Sequence, residues 1–192
     1  MASAQPHRGR GDTRQRIQDV ALELFTERGY DKTSLREIAE RLEVTKAALY
    51  YHFKTKEDIV LSVVEDLGRL LDELIEWGQA QPRTLETKKE LLRRYSEALA
   101  DATPVFRFLQ ENQATVRELS IGGAFKERLV TLSDLLRAPD AALTDHVRTT
   151  AAMFTMHVGL MALHDIEGDA EDKRKAVLEV ALDLLTEAHR SR

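Results

Sequence analysis

Apolar residues recur three, four and seven positions apart along most of the chain, and this helical spacing is the feature that most limits its fold. No alternating run of β-branched residues is long enough to indicate a strand, and only four prolines interrupt the 192 residues. The sequence therefore predicts an all-α protein. The predicted helices cover residues 13–28, 34–42, 45–53, 55–81, 85–102, 104–119, 122–137, 141–165 and 170–189.

Composition excludes several classes of protein. The chain has no cysteine, which rules out disulfides and thiolate metal sites and makes a reducing cytoplasm the expected location. No apolar run approaches the roughly 18 residues that a membrane span needs, so no membrane contact is expected. The basic start of the sequence is not followed by an apolar stretch, so we expect no signal peptide.

Charge is distributed unevenly along the chain. The net charge is −5, yet residues 1–54 contain ten Lys or Arg and eight Asp or Glu, a net +2, while residues 55–192 carry −7. The basic excess at the front slightly favours a nucleic-acid contact there over a plain solvated surface.

Capping signals mark three consecutive helix starts between residues 34 and 58. Ser34 is followed three positions later by Glu37, the pattern of a capping box. Thr45 is the expected N-cap of a short helix, and Thr55 with Asp58 the expected start of a long one. Two short helices joined by a very tight turn indicate a helix-turn-helix.

The second short helix, "TKAALYYHF", has two chemically different faces. At 100° per residue, Leu49 and Phe53 share one side and should pack inward against an apolar core. The opposite side presents Lys46, Ala47 and the two phenols that follow Leu49. A small residue allows close approach to a groove, while ammonium and phenol groups reach phosphate oxygens or base edges. This face is the predicted DNA contact.

The stretch "RIQDVALELFTERGYDKTSLREIAERLEVTKAALYYHFKTKEDIV", residues 16–60, resembles the tetracycline-repressor-like (TetR) transcriptional regulators. The ending "LYYHFKTKEDIV" after "GYDKTSLREIA" is the most specific part. The resemblance implies an Ω-shaped all-helical homodimer with an N-terminal three-helix DNA-binding domain and a larger C-terminal domain that binds a small molecule. The expected organisation is a disordered tail at 1–12, a helix-turn-helix domain at 13–54 and a ligand-binding and dimerisation domain at 55–192.

Carried over position by position, the resemblance also implies which residues contact an operator in double-stranded DNA. The predicted DNA-binding residues are Thr33, Ser34, Arg36, Thr45, Lys46, Ala47, Tyr50, Tyr51, His52 and Lys56. Thr33, Ser34 and Arg36 are expected at backbone phosphates, and Lys56 at the start of the linker helix. His52 could equally close the edge of the small domain's core.

The turn departs from the family's pattern, because Glu43-Val44 stands where these regulators usually read Gly-Val. If Glu43 adopts a positive φ, it carries strain of about 1 kcal/mol. It also places a carboxylate near the DNA surface.

The segment 141–165 is apolar all round, which indicates burial on more than one side. Small residues at Ala151, Ala152 and Gly159 would permit close helix approach. With the amphipathic helix that follows, the segment predicts a homodimer through residues 141–189. The alternative is that the two helices belong to an ordinary core within the chain, and the family resemblance favours the interface.

A pocket for an unknown small-molecule effector needs apolar residues with a few polar groups. The candidates for this ligand-binding site are Trp77, Tyr95, Phe106, Phe108, Leu109, Asn112, Met153 and His157. Asn112 and His157 would be the polar groups, which favours a hydrophobic effector. The long helix at 55–81 would connect such a pocket to the DNA-binding domain, so the sequence predicts release from DNA on effector binding.

Motifs for catalysis are absent from the sequence. It contains no Glu-x-x-His, no phosphate-cradling Gly-rich loop and no Gly-x-Ser-x-Gly, so we expect neither an enzyme nor a cofactor. His157 and His164 are seven apart without a carboxylate between them at ligand spacing, so no metal site is expected. The main alternative to a repressor is a helical ligand-binding or scaffold protein whose DNA binding is weakened by Glu43.

Overall fold

The computed structural model describes residues 10–119, 122–138, 140–163 and 165–190, and these form ten α-helices. The helices are α1 (Arg10–Arg28), α2 (Leu35–Arg41), α3 (Lys46–His52), α4 (Lys56–Gln79), α5 (Leu85–Asp101), α6 (Thr103–Glu111), α7 (Gln113–Glu118), α8 (Gly122–Leu136), α9 (Leu143–Ala162) and α10 (Ala170–Arg190). The all-α fold predicted from the sequence is confirmed.

Several helix limits differ from the prediction, and among them α9 spans Leu143–Ala162 where 141–165 was predicted. Helix α1 begins at Arg10 rather than Thr13, while residues 1–9 of the expected disordered tail lie outside the described residues. Helix α4 ends at Gln79, two residues early. The single helix expected at 104–119 is divided at Asn112, whose amide nitrogen Nδ2 donates to the Phe108 carbonyl oxygen at 2.9 Å. A side chain that hydrogen-bonds the backbone in this way competes with helix continuation.

The chain separates into two compact units. The first comprises Met1–Asp66 and Pro104–Ile121, and the second Leu67–Thr103 and Gly122–Arg192. The first unit therefore contains more than residues 13–54, because α6 from Pro104 onward and α7 group with it. The predicted assignment of DNA binding to 13–54 and of ligand binding to 55–192 stays a prediction.

Aromatic side chains form the centre of the first unit. The Phe25 ring lies 5.0 Å from the Tyr30 ring and 5.4 Å from the Phe108 ring, and Tyr30 lies 5.7 Å from Phe108. Phe108 thereby brings α6 into the core of this unit, although 78 residues separate it from Tyr30. Such edge and tilted arrangements are the favoured geometries of aromatic pairs.

Helices α5, α9 and α10 carry the core of the second unit. Val177, Ala181, Leu185 and Ala188 make the buried face of α10. A Cβ at Gly159 would lie 2.8 Å from a methyl of Val177, so α9 and α10 approach too closely there for a larger residue. The close approach predicted at Gly159 is confirmed.

Candidate nucleic-acid interface

Burial of one side of α3 fixes which side is exposed. Leu49 is fully buried and Phe53 is 2% exposed, and both belong to the first unit with Phe25, Ile38 and Leu42, which are also buried. The inward orientation predicted from the helical period is therefore confirmed. Because successive residues are turned by 100°, the side chains opposite Leu49 must face outward.

The helix α3 begins at the residue that the sequence predicts. Thr45 is the N-cap, and its hydroxyl accepts from the Ala48 main-chain N–H at 3.2 Å. This hydroxyl is therefore used in the cap and is exposed at the same time. The cap satisfies one of the N–H groups that the first turn of a helix leaves unpaired.

The turn between α2 and α3 is a Schellman motif built on Glu43. Val44 N–H donates to the Ala39 carbonyl oxygen at 3.0 Å, and Glu43 N–H donates to that of Glu40 at 3.2 Å. Glu43 has φ 57°, the left-handed conformation expected for this position. The motif requires a positive φ at this position, and Glu43 is strained because its Cβ makes that conformation unfavourable.

The exposed side of α3 contains the predicted contact residues. Lys46 and Ala47 are exposed at the start of the helix, and the side chains of Tyr50 and Tyr51 are 42% and 61% exposed. Both phenols are therefore accessible on a helix whose other side is packed in the core. The face presents one ammonium, one methyl and two hydroxyls, which is a donor-rich surface suited to phosphates and base edges.

His52, at the end of the same helix, is half-buried. Its ring stands edge-on to Tyr51 with centroids 5.3 Å apart. It lies between the exposed face and the core, and a DNA contact by His52 stays a prediction.

Ser34 and Glu37 form the predicted capping box at the start of α2. Glu37 N–H donates to the Ser34 hydroxyl at 3.3 Å, and Ser34 N–H donates to a Glu37 carboxylate oxygen at 2.8 Å. The hydrogen bonds from the side chain and the backbone of Ser34 lower the pKa of Glu37. Beside them Arg36 is exposed and pairs with Glu40 at 2.7 Å, a surface pair that a phosphate could replace.

Thr33 is the member of the predicted set that the structure does not place on this surface. It is 2% exposed, and its hydroxyl lies 2.9 Å from the Gly29 carbonyl oxygen and 3.3 Å from that of Leu24. Its side chain thus fixes the loop between α1 and α2, and nothing in the local sequence separates this role from a phosphate contact.

Lys56 is half-buried at the start of α4. Its ammonium donates to the Tyr30 carbonyl oxygen at 2.6 Å and lies 4.3 Å from the centroid of the Tyr30 ring. The predicted phosphate contact would have to share or replace these interactions.

Two cationic residues near α3 were missed by the sequence reasoning. Lys54 is exposed, and its ammonium donates to the Tyr50 carbonyl oxygen in the last turn of α3. Arg14, in α1, lies over the Phe53 ring at 4.6 Å. Lys54 follows Tyr50 by four residues, and this spacing could have indicated their contact. The contact of Arg14 with Phe53 depends on tertiary packing.

The residues predicted to bind an effector fall into both units. In the second, Tyr95 is fully buried and its hydroxyl hydrogen-bonds to His157 Nε2, while His157 Nδ1 donates to the Met153 carbonyl oxygen at 2.7 Å. Burial raises the pKa of Tyr95 and lowers that of His157. Trp77, also in the second unit, stacks on the Arg94 guanidinium at 4.2 Å.

The other four candidates, Phe106, Phe108, Leu109 and Asn112, belong to the first unit. Phe108 is a core residue there, and the remaining three are half-buried. The structure therefore brings Tyr95, Met153 and His157 together, and the role of all eight in ligand binding stays a prediction.

The outer side of α9 is an open apolar surface. Leu143, Val147, Phe154 and Val158 are 79%, 60%, 66% and 36% exposed, and a shallow groove runs along them. The opposite side, with Ala152, Met153 and Met156, is buried. Both sides of this helix are thus apolar, as the sequence indicated. Within the described residues, no helix is long and apolar enough to cross a membrane.

Comparison with known proteins agrees with this geometry. Residues 17–63 match the family model for bacterial regulatory proteins of the tetR family. The chain is 50% identical over 54 residues to the HTH-type transcriptional regulator AcrR of Shigella flexneri, covering 28% of this chain and 25% of AcrR. It is 45% identical over 51 residues to IcaR of Staphylococcus epidermidis, the HTH-type negative transcriptional regulator of the biofilm operon icaADBC, covering 27% of this chain and 28% of IcaR.

These matches span about a quarter of the length of the curated relatives. The similarity in fold extends much further. The crystal structure of PfmR, a TetR family transcriptional regulator from Thermus thermophilus, superposes with a TM-score of 0.66 at 22% identity, over 88% of this chain and 97% of PfmR. All three are regulators and none is named as an enzyme, in agreement with the expectation from the sequence.

Proposed function

We propose that this chain, whose residues 17–63 match the model for the tetR family of bacterial regulatory proteins, is a DNA-binding transcriptional regulator of that family. More specifically, it is a repressor that binds a palindromic operator as a homodimer and is released by a small hydrophobic effector. A regulator of this kind acts where the DNA lies, so the proposed location is the cytoplasm.

One observation supports DNA binding above all, namely the exposed face of α3. Tyr50, Tyr51, Lys46 and Ala47 share this face, while Leu49 behind them anchors the helix in the core. A short helix held by its apolar side and presenting donors on the other is what the second helix of a helix-turn-helix offers to a major groove. The exposed Arg36 at the start of α2 would add a phosphate contact.

The experiment that tests this function is selection of bound duplexes from sheared genomic DNA, followed by sequencing. The proposal requires recovery of one inverted repeat with half-sites about one helical turn apart, or a multiple of it. Affinity for that duplex should fall steeply with salt, because phosphate contacts release counterions. Recovery of unrelated fragments, or none, would refute DNA binding.

One alternative has a specific observation in its favour. Glu43 lies in the turn directly before α3 and its side chain is exposed, so it adds a negative charge beside the proposed DNA surface. A protein whose operator affinity is lost for this reason would be a helical ligand-binding or scaffold protein. The same selection separates the two, because the Glu43→Gly variant would then recover an operator that the natural chain does not.

The homodimer rests on the outer side of α9. Its exposed apolar side chains lie in one line along the helix, interspersed with the small residues Ala151 and Gly159. A self-complementary patch of this kind is suited to a two-fold interface between copies of the chain. The apolar face of α10 contributes less than the sequence suggested, because Val177, Ala181 and Leu185 are already buried inside the chain.

Repression and effector release complete the proposal. IcaR, which is 45% identical to this chain over 51 residues, is named as a negative regulator, and this supports repression. The pair Tyr95–His157 supplies polar groups within the apolar core of the second unit, which supports an effector with a hydrophobic body and one or two polar atoms.

A thermal-shift screen of such compounds, with and without the recovered operator, tests the effector. Linkage requires that a releasing compound bind more weakly when DNA is present, by a coupling of about 1–3 kcal/mol. If every compound found stabilised the free and the DNA-bound protein equally, effector release would be excluded while DNA binding would stand.

A further inference from the structure

The first residues of α4 contact Tyr30, in the segment that precedes α2. Lys56 Nζ donates to the Tyr30 carbonyl oxygen at 2.6 Å and lies 4.3 Å from the centroid of the same residue's ring. The Tyr30 hydroxyl donates to a Glu57 carboxylate oxygen at 2.9 Å. Two successive residues of α4 thus hold both the main chain and the side chain of one tyrosine. We name these three residues the clasp.

The position of the clasp in the sequence gives it a particular consequence. Tyr30 precedes α2 and Lys56 follows α3, so the whole helix-turn-helix lies between them. Their contact closes the chain into a loop that contains both helices and the Glu43 turn. A loop closed at its base has fewer orientations available than one held only by its own packing.

Tyr30 is a firm anchor for this closure. It is 7% exposed, and its ring packs against Phe25 at 5.0 Å and Phe108 at 5.7 Å. Its carbonyl oxygen also accepts the Thr33 N–H at 3.2 Å, just before α2 begins. The Lys56 ammonium therefore acts on the same oxygen that shapes the entry into α2.

The ion pairs between α1 and α2 are more exposed than the clasp. Arg28 pairs with Glu37 at 3.1 Å and Arg41 with Glu27 at 2.9 Å, with each side chain about one third exposed or more. Exposed ion pairs of this type hold an orientation weakly and are screened by salt. The clasp is partly buried, with Tyr30 itself in the core, and it joins α4 to the α1–α2 loop directly.

We propose that Lys56 is a positioning residue, which orients α2 and α3 for DNA through its contact with Tyr30 instead of binding a phosphate itself. This inference rests on the proposed function and changes the role that the sequence assigned to Lys56. The loss of a phosphate contact weakens binding to all DNA and reduces the dependence on salt, whereas the loss of a positioning contact weakens binding to the operator alone.

The test compares Lys56→Met with the matched variant Lys46→Met, which removes an equal charge from the exposed start of α3. Dissociation constants are measured at several salt concentrations on the operator duplex recovered from genomic DNA and on a duplex of scrambled sequence. Circular dichroism confirms that each full-length variant is folded at the temperature used. The milder second variant is Tyr30→Phe, which keeps the ring and the carbonyl group and removes only the hydroxyl that donates to Glu57.

Lys56→Met should bind the operator about tenfold more weakly, comparable to the loss of one base pair's contacts, with an unchanged salt slope and unchanged binding to scrambled DNA. Lys46→Met should lower the slope by about one unit. Tyr30→Phe should weaken operator binding in the same direction as Lys56→Met. The proposal would be overturned if Lys56→Met lowered the salt slope by about one unit. It would also be overturned if Lys56→Met bound the operator as tightly as wild type.

A second measurement requires no DNA and separates failure of the clasp from failure of the proposed function. Hydrogen exchange of the Thr33 amide in free protein should accelerate about fivefold or more in Lys56→Met and remain as in wild type in Lys46→Met. If wild type recovers no operator, the proposed function fails and this exchange alone decides on the clasp. Equal Thr33 exchange in wild type and Lys56→Met would refute it.

Discussion

Glu43 shows how a turn can impose a conformation on a residue that does not favour it. Its φ of 57° is required by the two main-chain hydrogen bonds that end α2, and glycine would adopt it without a steric penalty. The side chain is exposed, so its replacement removes no packing.

Glu43→Gly should therefore stabilise the protein. Relief of left-handed strain, reduced by the greater freedom of glycine in the unfolded chain, leaves a gain of about 0.5–1 kcal/mol. Urea unfolding followed by circular dichroism measures it. The matched control is Glu40→Gly, in the helical part of α2, which should lose about 1 kcal/mol. Destabilisation by both variants would show that Glu43 makes a favourable contact that outweighs its strain.

Helix α9 has one side buried in the second unit and one apolar side exposed. Ala152 and Met156 are buried in the second unit, whereas Phe154, between them in sequence, is 66% exposed. A helix that is apolar on both sides has a second surface to cover, and a second copy of the chain is the partner we propose for it.

Phe154→Glu should abolish dimerisation without unfolding the chain, because it places a charge in the centre of the apolar surface. Sedimentation at micromolar concentration should show a monomer with wild-type helix content. Val130→Glu makes the same change at a 48% exposed residue of α8 and should remain dimeric. A dimeric Phe154→Glu variant would remove this face of α9 from the interface.

Stability of the whole molecule should depend on His157 in mildly acidic solution. Burial lowers the pKa of His157 below its ordinary 6.5 in the folded state, so the unfolded chain takes up the proton first as pH falls. The free energy of unfolding should be constant above about pH 6.5 and decrease as pH falls below it. The carboxyl groups with lowered pKa values titrate at lower pH, so the range from 6.5 to 5 reports on histidine.

His157→Gln is the variant that checks this dependence, because glutamine keeps a hydrogen-bonding group but does not titrate. Between pH 6.5 and 5 its free energy of unfolding should change less than that of wild type. Identical pH dependence in the two proteins would assign the effect to other groups.

The parts of the molecule that the sequence predicted are those determined by local chemistry. The caps at Ser34 and Thr45 and the inward side of α3 at Leu49 follow from residue type and the 100° turn between residues. They were sufficient to locate most of the candidate DNA surface.

Long-range contacts were beyond the reach of the sequence. Lys56 is separated from Tyr30 by 26 residues and Tyr95 from His157 by 62, and no periodicity relates such pairs. The grouping of α6 with the first unit depends in the same way on Phe108 meeting Phe25 and Tyr30. Such contacts arise only when the packing of separate helices is known.

The central claim is that the exposed face of α3 binds DNA, and the salt dependence of operator affinity in face variants tests it most directly. Fluorescence anisotropy gives the dissociation constant of wild type, Lys46→Ala and Tyr50→Phe across a salt series. Lys175→Ala, which removes an exposed lysine from α10, is the control.

Lys46→Ala should weaken binding and lower the salt slope by about one unit, since it removes one phosphate contact. Tyr50→Phe should weaken binding with little change in slope, because only a neutral hydroxyl is lost. Lys175→Ala should match wild type, and all variants should remain folded. If Lys46→Ala and Tyr50→Phe both bound the operator as wild type does at physiological salt, the exposed face of α3 would not be the DNA contact.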